Sequence, residues 1–284
     1  LLLDGSDAIP ANFLVAALLA NTLRSPHLQF MRSSFNYRLT RLKRGTIAGL
    51  AMLSSRFDPI LKTNAPLSRI EYPGDEESNT LVVFLPGIGD LAEDFERRGF
   101  IAEMRRHGIS ADAVAIDAHY GYYASRAIHE RITQDVIASA RDVGYEQIWL
   151  AGVSLGGFGA ASYAARHASD LAGLLLFAPY LGGAGLVREI AAAGGARNWQ
   201  PGSVNDDDIQ RNLWAWFKQS LGDAGAGLPV YLGYGERDMF ESANALLAEL
   251  LPDSHVHAIP GGHDWQTWKK LWQLHLPHWK DRLR

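Results

Sequence analysis

The stretch Ile148-Trp149-Leu150-Ala151-Gly152-Val153-Ser154-Leu155-Gly156-Gly157-Phe158-Gly159-Ala160 passes from an apolar, β-prone run, through a serine between glycines, into a small-residue helical pattern. A strand that turns sharply into a helix would carry Ser154 on the turn, the setting of a nucleophile elbow. The glycines two residues before and after the serine have a physical cause. Strand and helix approach too closely there for a Cβ, and the strained backbone directs the hydroxyl outward. In a chain with 28 glycines the pattern alone is weak, so its surroundings must support it.

Those surroundings alternate strand and helix patterns. Leu67 to Tyr72, Thr80 to Leu85, Asp112 to Ile116, Glu146 to Ala151, Leu171 to Ala178, Leu228 to Leu232 and Ser254 to Ile259 read as strands. Helical patterns cover Glu93 to His107, Ser125 to Arg141 with Ser125 as cap, Leu155 to His167, Ser242 to Leu251, and a final segment with Trp265, Trp268 and Trp272 inward. Asp117 to Tyr123 reads as an aromatic loop. The alternation predicts an α/β fold, a mostly parallel doubly wound sheet with helices on both faces.

Two segments stand outside that alternation. Residues 1–65 read as a basic, helical N-terminal extension that carries +5 of charge, against −9 in the expected domain of residues 66–284. Leu28, Met31, Phe35, Leu39 and Leu42 recur there at helical spacing beside basic side chains. Such a stripe either docks on the main domain or rests on an anionic membrane surface. The apolar run Phe13 to Ala20 is too short to span a bilayer, and no basic segment precedes it as in a signal peptide. Residues 182–227 form a small helical insertion between two strands, patterned as helices near Leu186 to Ala193 and Ile209 to Ser220. That insertion either roofs a pocket or is a packed helical pair.

Bulk properties narrow the function classes. A net charge of −4 gives no reason to expect nucleic acid, and the absence of cysteine excludes disulfides, thiolate metal sites and a cysteine nucleophile. Neither property separates a cytoplasmic from an exported or membrane-peripheral protein, and oligomeric state is left open.

A serine hydroxyl becomes a useful nucleophile only when a base takes its proton and an acid fixes the tautomer of that base. Asp238, in Gly235-Glu236-Arg237-Asp238, and His263, in Gly261-Gly262-His263-Asp264-Trp265, follow later strands in the order an elbow requires. Glu236 is the rival acid. Asp264 adjoins His263 and is badly placed to reach its ring. His255 and His257 share a strand face but lack a third ligand at metal spacing, so no metal is expected. The Leu155 N–H and the Ile88 N–H, in Pro86-Gly87-Ile88-Gly89-Asp90, are the expected donors to an oxyanion.

With these four motifs the chain resembles the α/β-hydrolase family over roughly residues 67–284. The resemblance implies an eight-strand sheet, a serine esterase-type mechanism, no cofactor, and a cap where residues 182–227 fall. Pro86 stands where many members have histidine before the glycine of the oxyanion loop. The expected function is a serine hydrolase of the carboxylesterase or lipase type, cleaving a small carboxylic ester or thioester through an acyl-enzyme. An acyltransferase or a membrane-associated lipid hydrolase would share the triad, and a binding protein on the same scaffold would lack turnover. Tyr120, Tyr122, Tyr123 and Trp199 are expected to line a pocket for a hydrophobic acyl or aryl group.

Overall fold

The computed structural model describes residues 37–46, 49, 62–203, 205–221 and 227–283. Seven strands lie in one sheet: β1 (Arg69–Tyr72), β2 (Thr80–Leu85), β3 (Asp112–Ile116), β4 (Gln147–Val153), β5 (Gly173–Phe177), β6 (Val230–Gly235) and β7 (Val256–Ile259). Their order is β1-β3-β2-β4-β5-β6-β7. Only β1 runs antiparallel, and every other pairing is parallel. Helices cover both faces, so β2 and β5 are buried at every residue, as apolar runs without alternation require. β1, at the edge, alternates exposed and half-buried residues instead.

An eight-strand sheet is thus corrected to seven strands among the described residues. Only the turn of residues 73–79 separates the edge strand β1 from the central strand β2, which leaves no length there for a further strand.

The helices also depart from expectation in places. The Glu93 to His107 pattern is two helices, Glu93–Arg97 and Phe100–Arg106, because Gly99 adopts a left-handed φ of 86° between them. Tyr120–Ala124 is a short helix rather than loop, capped by the His119 ring, which accepts from Gly121 N–H at 3.1 Å. Ser125 closes that helix instead of opening the next one, whose Ile132–Ile137 turn is π-helical. Leu155–His167 and the insertion helices, Ala184–Ala192 and Ile209–Leu221, fall close to their predicted places.

The C-terminal helix Trp265–Arg282 buries Trp265, Trp268 and Trp272. Trp272 stacks on Phe100 with centroids 5.6 Å apart and meets Phe84 and Phe177 edge-on, so an aromatic layer joins this helix to the sheet.

Residues 37–46 are helical and dock through a polar face. Arg41 pairs with Asp90 and Asp94, and Arg44 with Asp117. Leu39 and Leu42, on the opposite side of the helix, are 43% and 68% exposed. The apolar stripe therefore does not mediate the docking where it is described, while Leu28, Met31 and Phe35 lie outside the described residues.

Candidate active site

Strand order fixes where a site can form. From β2 the chain crosses to β3 on one side and then returns past β2 to β4, so the crevice beyond the C-terminal ends of β2 and β4 is the switch point of the sheet. The register pairs Leu85 with Gly152, which brings Gly87 level with Ser154 just past the strand ends. A Cβ built on Gly87 would lie 3.5 Å from Ser154 Cβ.

Ser154 links β4 to the helix Leu155–His167 with φ 54° and ψ −117°, a conformation that side-chain-bearing residues rarely adopt. Its surroundings hold it there. The Ser154 N–H donates to Phe177 O at 3.0 Å, and its carbonyl accepts from Phe158 N–H at 3.1 Å and Tyr180 N–H at 3.0 Å. A Cβ on Gly152 would meet Gly156 O at 2.4 Å, and one on Gly156 would meet Leu85 O at 2.1 Å. The two glycines are therefore a condition of the turn.

β6 and β7 supply the partners. Gly235 pairs with Ile259, and the loops beyond carry Asp238 and His263. His263 Nε2 lies 2.8 Å from Ser154 Oγ, and Nδ1 lies 2.9 and 2.8 Å from the two oxygens of Asp238. The Asp238 side chain is fully buried and also accepts from Phe240 N–H at 2.8 Å. Glu236 is exposed, and Asp264 is engaged as N-cap of the last helix, accepting from Thr267 N–H at 2.9 Å. Phe240 and Trp268 flank the His263 ring edge-on, each with its centroid at 5.0 Å. The imidazole is thereby confined in orientation as well as hydrogen-bonded. The sequence reading places Trp268 inward but gives neither aromatic a place at the site, although both lie within five residues of Asp238 or His263.

Leu155 is the first residue of its helix, so its N–H has no intrahelical acceptor. Leu155 follows Ser154 directly in the chain but is not among the residues lining the adjoining cavity, whereas Gly87 and Ile88 are. That cavity, of about 560 Å³, is lined by Ser154 and His263 together with Arg41, Asp90, Arg98, Trp265, Gln266 and Trp268.

Tyr120, Tyr122, Tyr123 and Trp199 do not line it. Tyr120 opens its short helix half-buried. The Tyr122 side chain is buried with its hydroxyl towards Pro66 O at 3.5 Å. The Tyr123 hydroxyl is buried against Gly159 and has no hydrogen-bond partner among the described residues. Trp199 is buried inside the insertion, donating from Nε1 to Glu189 at 2.9 Å. The insertion packs on the helix after Ser154 and on the helix Glu241–Ala248, and its described residues contribute nothing to the lining. Instead the cavity takes Arg41 from the N-terminal helix.

No group of three or more His, Asp or Glu side chains is placed to hold a metal among the described residues. The His257 and His275 rings lie 4.6 Å apart, tilted by 57°, and neither lines the cavity at Ser154.

No protein-family model matches the chain, and no curated protein matches it. Solved structures do. A ferulic acid esterase superposes with a TM-score of 0.57 at 14% identity, over 76% of this chain and 93% of that one. An S-formylglutathione hydrolase from Agrobacterium tumefaciens gives 0.53 at 14% identity, over 77% and 90%. The chain has the α/β-hydrolase fold. A monoacylglycerol lipase of Paleococcus ferrophilus shares that fold at a TM-score of 0.50 and 17% identity, over 76% of this chain and 99% of that one. The α/β-hydrolase fold accounts for the position of the Ser154 turn at the centre of the sheet, and at these identities it extends to architecture alone.

Proposed function

We propose that this protein is a serine hydrolase acting on a carboxylic ester or thioester. The observation that carries the reading is the continuous chain of hydrogen bonds from Ser154 Oγ through His263 to the buried Asp238. In this reading Ser154 Oγ attacks the acyl carbon while His263 Nε2 takes its proton. Asp238 holds the Nδ1–H tautomer and stabilises the imidazolium that forms. The Leu155 and Ile88 N–H groups receive the oxyanion. His263 then returns the proton to the departing alcohol or thiol. Water, deprotonated by the same imidazole, releases the acid from Ser154. An acyltransferase would place another nucleophile in this last step.

Release of p-nitrophenol from acetate, butyrate and octanoate esters tests the reading. Activity that Ser154→Ala abolishes supports it, and the chain-length profile sizes the acyl subsite. An intact protein that neither turns over esters nor reacts with a fluorophosphonate is instead a binding protein on this scaffold.

A second reading, hydrolysis at an anionic membrane surface, is favoured by the exposed Leu39 and Leu42 on a helix that also bears exposed Arg38 and Lys43. No described helix is long and apolar enough to cross a bilayer, so contact through this helix would be peripheral. Co-sedimentation with anionic but not zwitterionic vesicles, lost on Leu39→Glu/Leu42→Glu, would support it. No sedimentation with either would reject it.

A further inference from the structure

Three segments far apart in the sequence meet on one carboxylate beside Ser154. Asp90 closes the Gly87 to Asp90 turn, its N–H donating to Gly87 O at 3.1 Å. Its Oδ1 accepts from Trp265 Nε1 at 3.0 Å and from Arg41 Nη2 at 3.1 Å. Its Oδ2 leaves no room for a side chain at Gly87, since a Cβ there would fall 2.7 Å from that oxygen and 3.5 Å from Ser154 Cβ. Gly87 is thus wedged between Asp90 and Ser154.

Arg41 reaches this carboxylate from outside the sheet domain. Its Nη1 donates to Asp94 Oδ1 at 2.6 Å and to the Tyr37 hydroxyl at 2.8 Å, so the planar guanidinium spans two carboxylates at once. Asp94 is wholly buried and accepts from Leu91 N–H at 2.9 Å, the residue after the turn. The same helix touches the turn again, where a Cβ on Gly89 would lie 3.5 Å from Gly45 Cα. Burial raises the Asp90 carboxyl above its usual range; the Trp265 hydrogen bond and the Arg41 charge oppose that rise. Arg98 adds a longer contact, its Nε 3.8 Å from Asp94 Oδ1, and its charge also acts on Asp90.

We propose that Arg41 is a positioning residue for the hydrolysis assigned above: by holding Asp90 it fixes the Gly87 to Asp90 turn with the Ile88 N–H facing the oxyanion at Ser154. The proposal rests on the hydrolase reading. An oxyanion donor must sit about 2.7–3.1 Å from where the charge develops. A loosened turn therefore weakens the transition state more than it weakens substrate binding. Without Arg41, Asp90 keeps the Trp265 indole as its side-chain hydrogen-bond donor, and Asp90 and Asp94 lose the guanidinium that hydrogen-bonds to both.

Arg41→Ala, Arg41→Lys and Arg44→Ala in the full chain test this. Arg44 pairs with Asp117 from the same helix and does not line the cavity, so its variant reports helix docking alone. Arg41→Ala should lower kcat for p-nitrophenyl butyrate by about tenfold or more with KM within about twofold. It should also speed amide exchange in residues 87–91 by about tenfold. Arg41→Lys should recover part of both losses, and Arg44→Ala should leave both within about twofold. Equal losses in the Arg41 and Arg44 alanine variants, a change confined to KM, or unaltered exchange at residues 87–91 would overturn the proposal. If the unmodified protein lacks esterase activity and fluorophosphonate reactivity, the hydrolase reading falls. The exchange comparison would still decide whether Arg41 holds the turn.

Discussion

Trp265 Nε1 donates to Asp90 Oδ1 at 3.0 Å across 175 residues of sequence, joining the loop that carries His263 to the turn that faces Ser154. One indole N–H thereby links the segment that follows His263 to the turn that carries Ile88. Trp265→Phe keeps most of the ring packing against Phe95, Phe100 and Trp268 but removes the donor. Steady-state kinetics should show kcat lowered about three- to tenfold, while chemical denaturation shows a loss of about 1 kcal/mol. Unchanged kcat would mean that the two loops are held independently.

The strained backbone at Ser154 has its own consequence. Glycine accepts a positive φ without a Cβ clash, and the strain is worth about 1–3 kcal/mol, from which glycine's greater chain entropy subtracts about 0.5–1 kcal/mol. Ser154→Gly should be inactive yet about 1 kcal/mol more stable by urea denaturation. A less stable variant would show that the side chain, and not the turn, governs stability at this position.

Gly156→Ala should behave in the opposite way. The added methyl would sit 2.1 Å from Leu85 O, a backbone atom of a central strand that cannot move aside. A loss of about 3 kcal/mol or more, seen as a large drop in Tm or as insoluble protein, is expected. A stable, soluble variant would contradict the close approach of helix and strand.

Two histidines, His275 and His129, predict a pH dependence of stability. Burial, with help from neighbouring His257, lowers the pKa of His275 from 6.5 to about 3. His129, half-buried beside Ser162, falls to about 4, mainly through desolvation. Unfolded chains take up these protons below about pH 6.5 while the folded protein does not, so stability is full above that pH and declines as pH falls towards the folded values. Each histidine should contribute a loss of about 2 kcal/mol by pH 5. Denaturation at pH 7.5 and 5 should show this decline, and His275→Leu should remove the share due to His275. A pH-independent difference between variant and parent would refute that assignment.

Much of this architecture is legible in the sequence, for local reasons. The helix after Ser154 and the strand β2 announce themselves through composition, and Asp238 and His263 through their places after strands. What is not legible depends on contacts between distant residues. The Leu stripe of the N-terminal helix draws the eye to its apolar side. Docking instead uses Tyr37, Arg41 and Arg44, whose acidic partners Asp90, Asp94 and Asp117 lie 49 to 73 residues away. Tyr120 to Tyr123 suggest a binding surface by their chemistry, yet helix formation turns Tyr122 and the Tyr123 hydroxyl inward. Gly99 shows the same limit on a smaller scale, since one left-handed residue divides an otherwise continuous helical pattern.

The central claim is that Ser154 Oγ is the nucleophile, and covalent trapping tests it most directly. Incubation with a fluorophosphonate, followed by proteolysis and mass spectrometry, should find a single adduct on the peptide containing Ser154. Labelling should slow about a hundredfold or more in His263→Ala, which lacks the base. An adduct on another serine, or no adduct in a folded protein, would contradict the account.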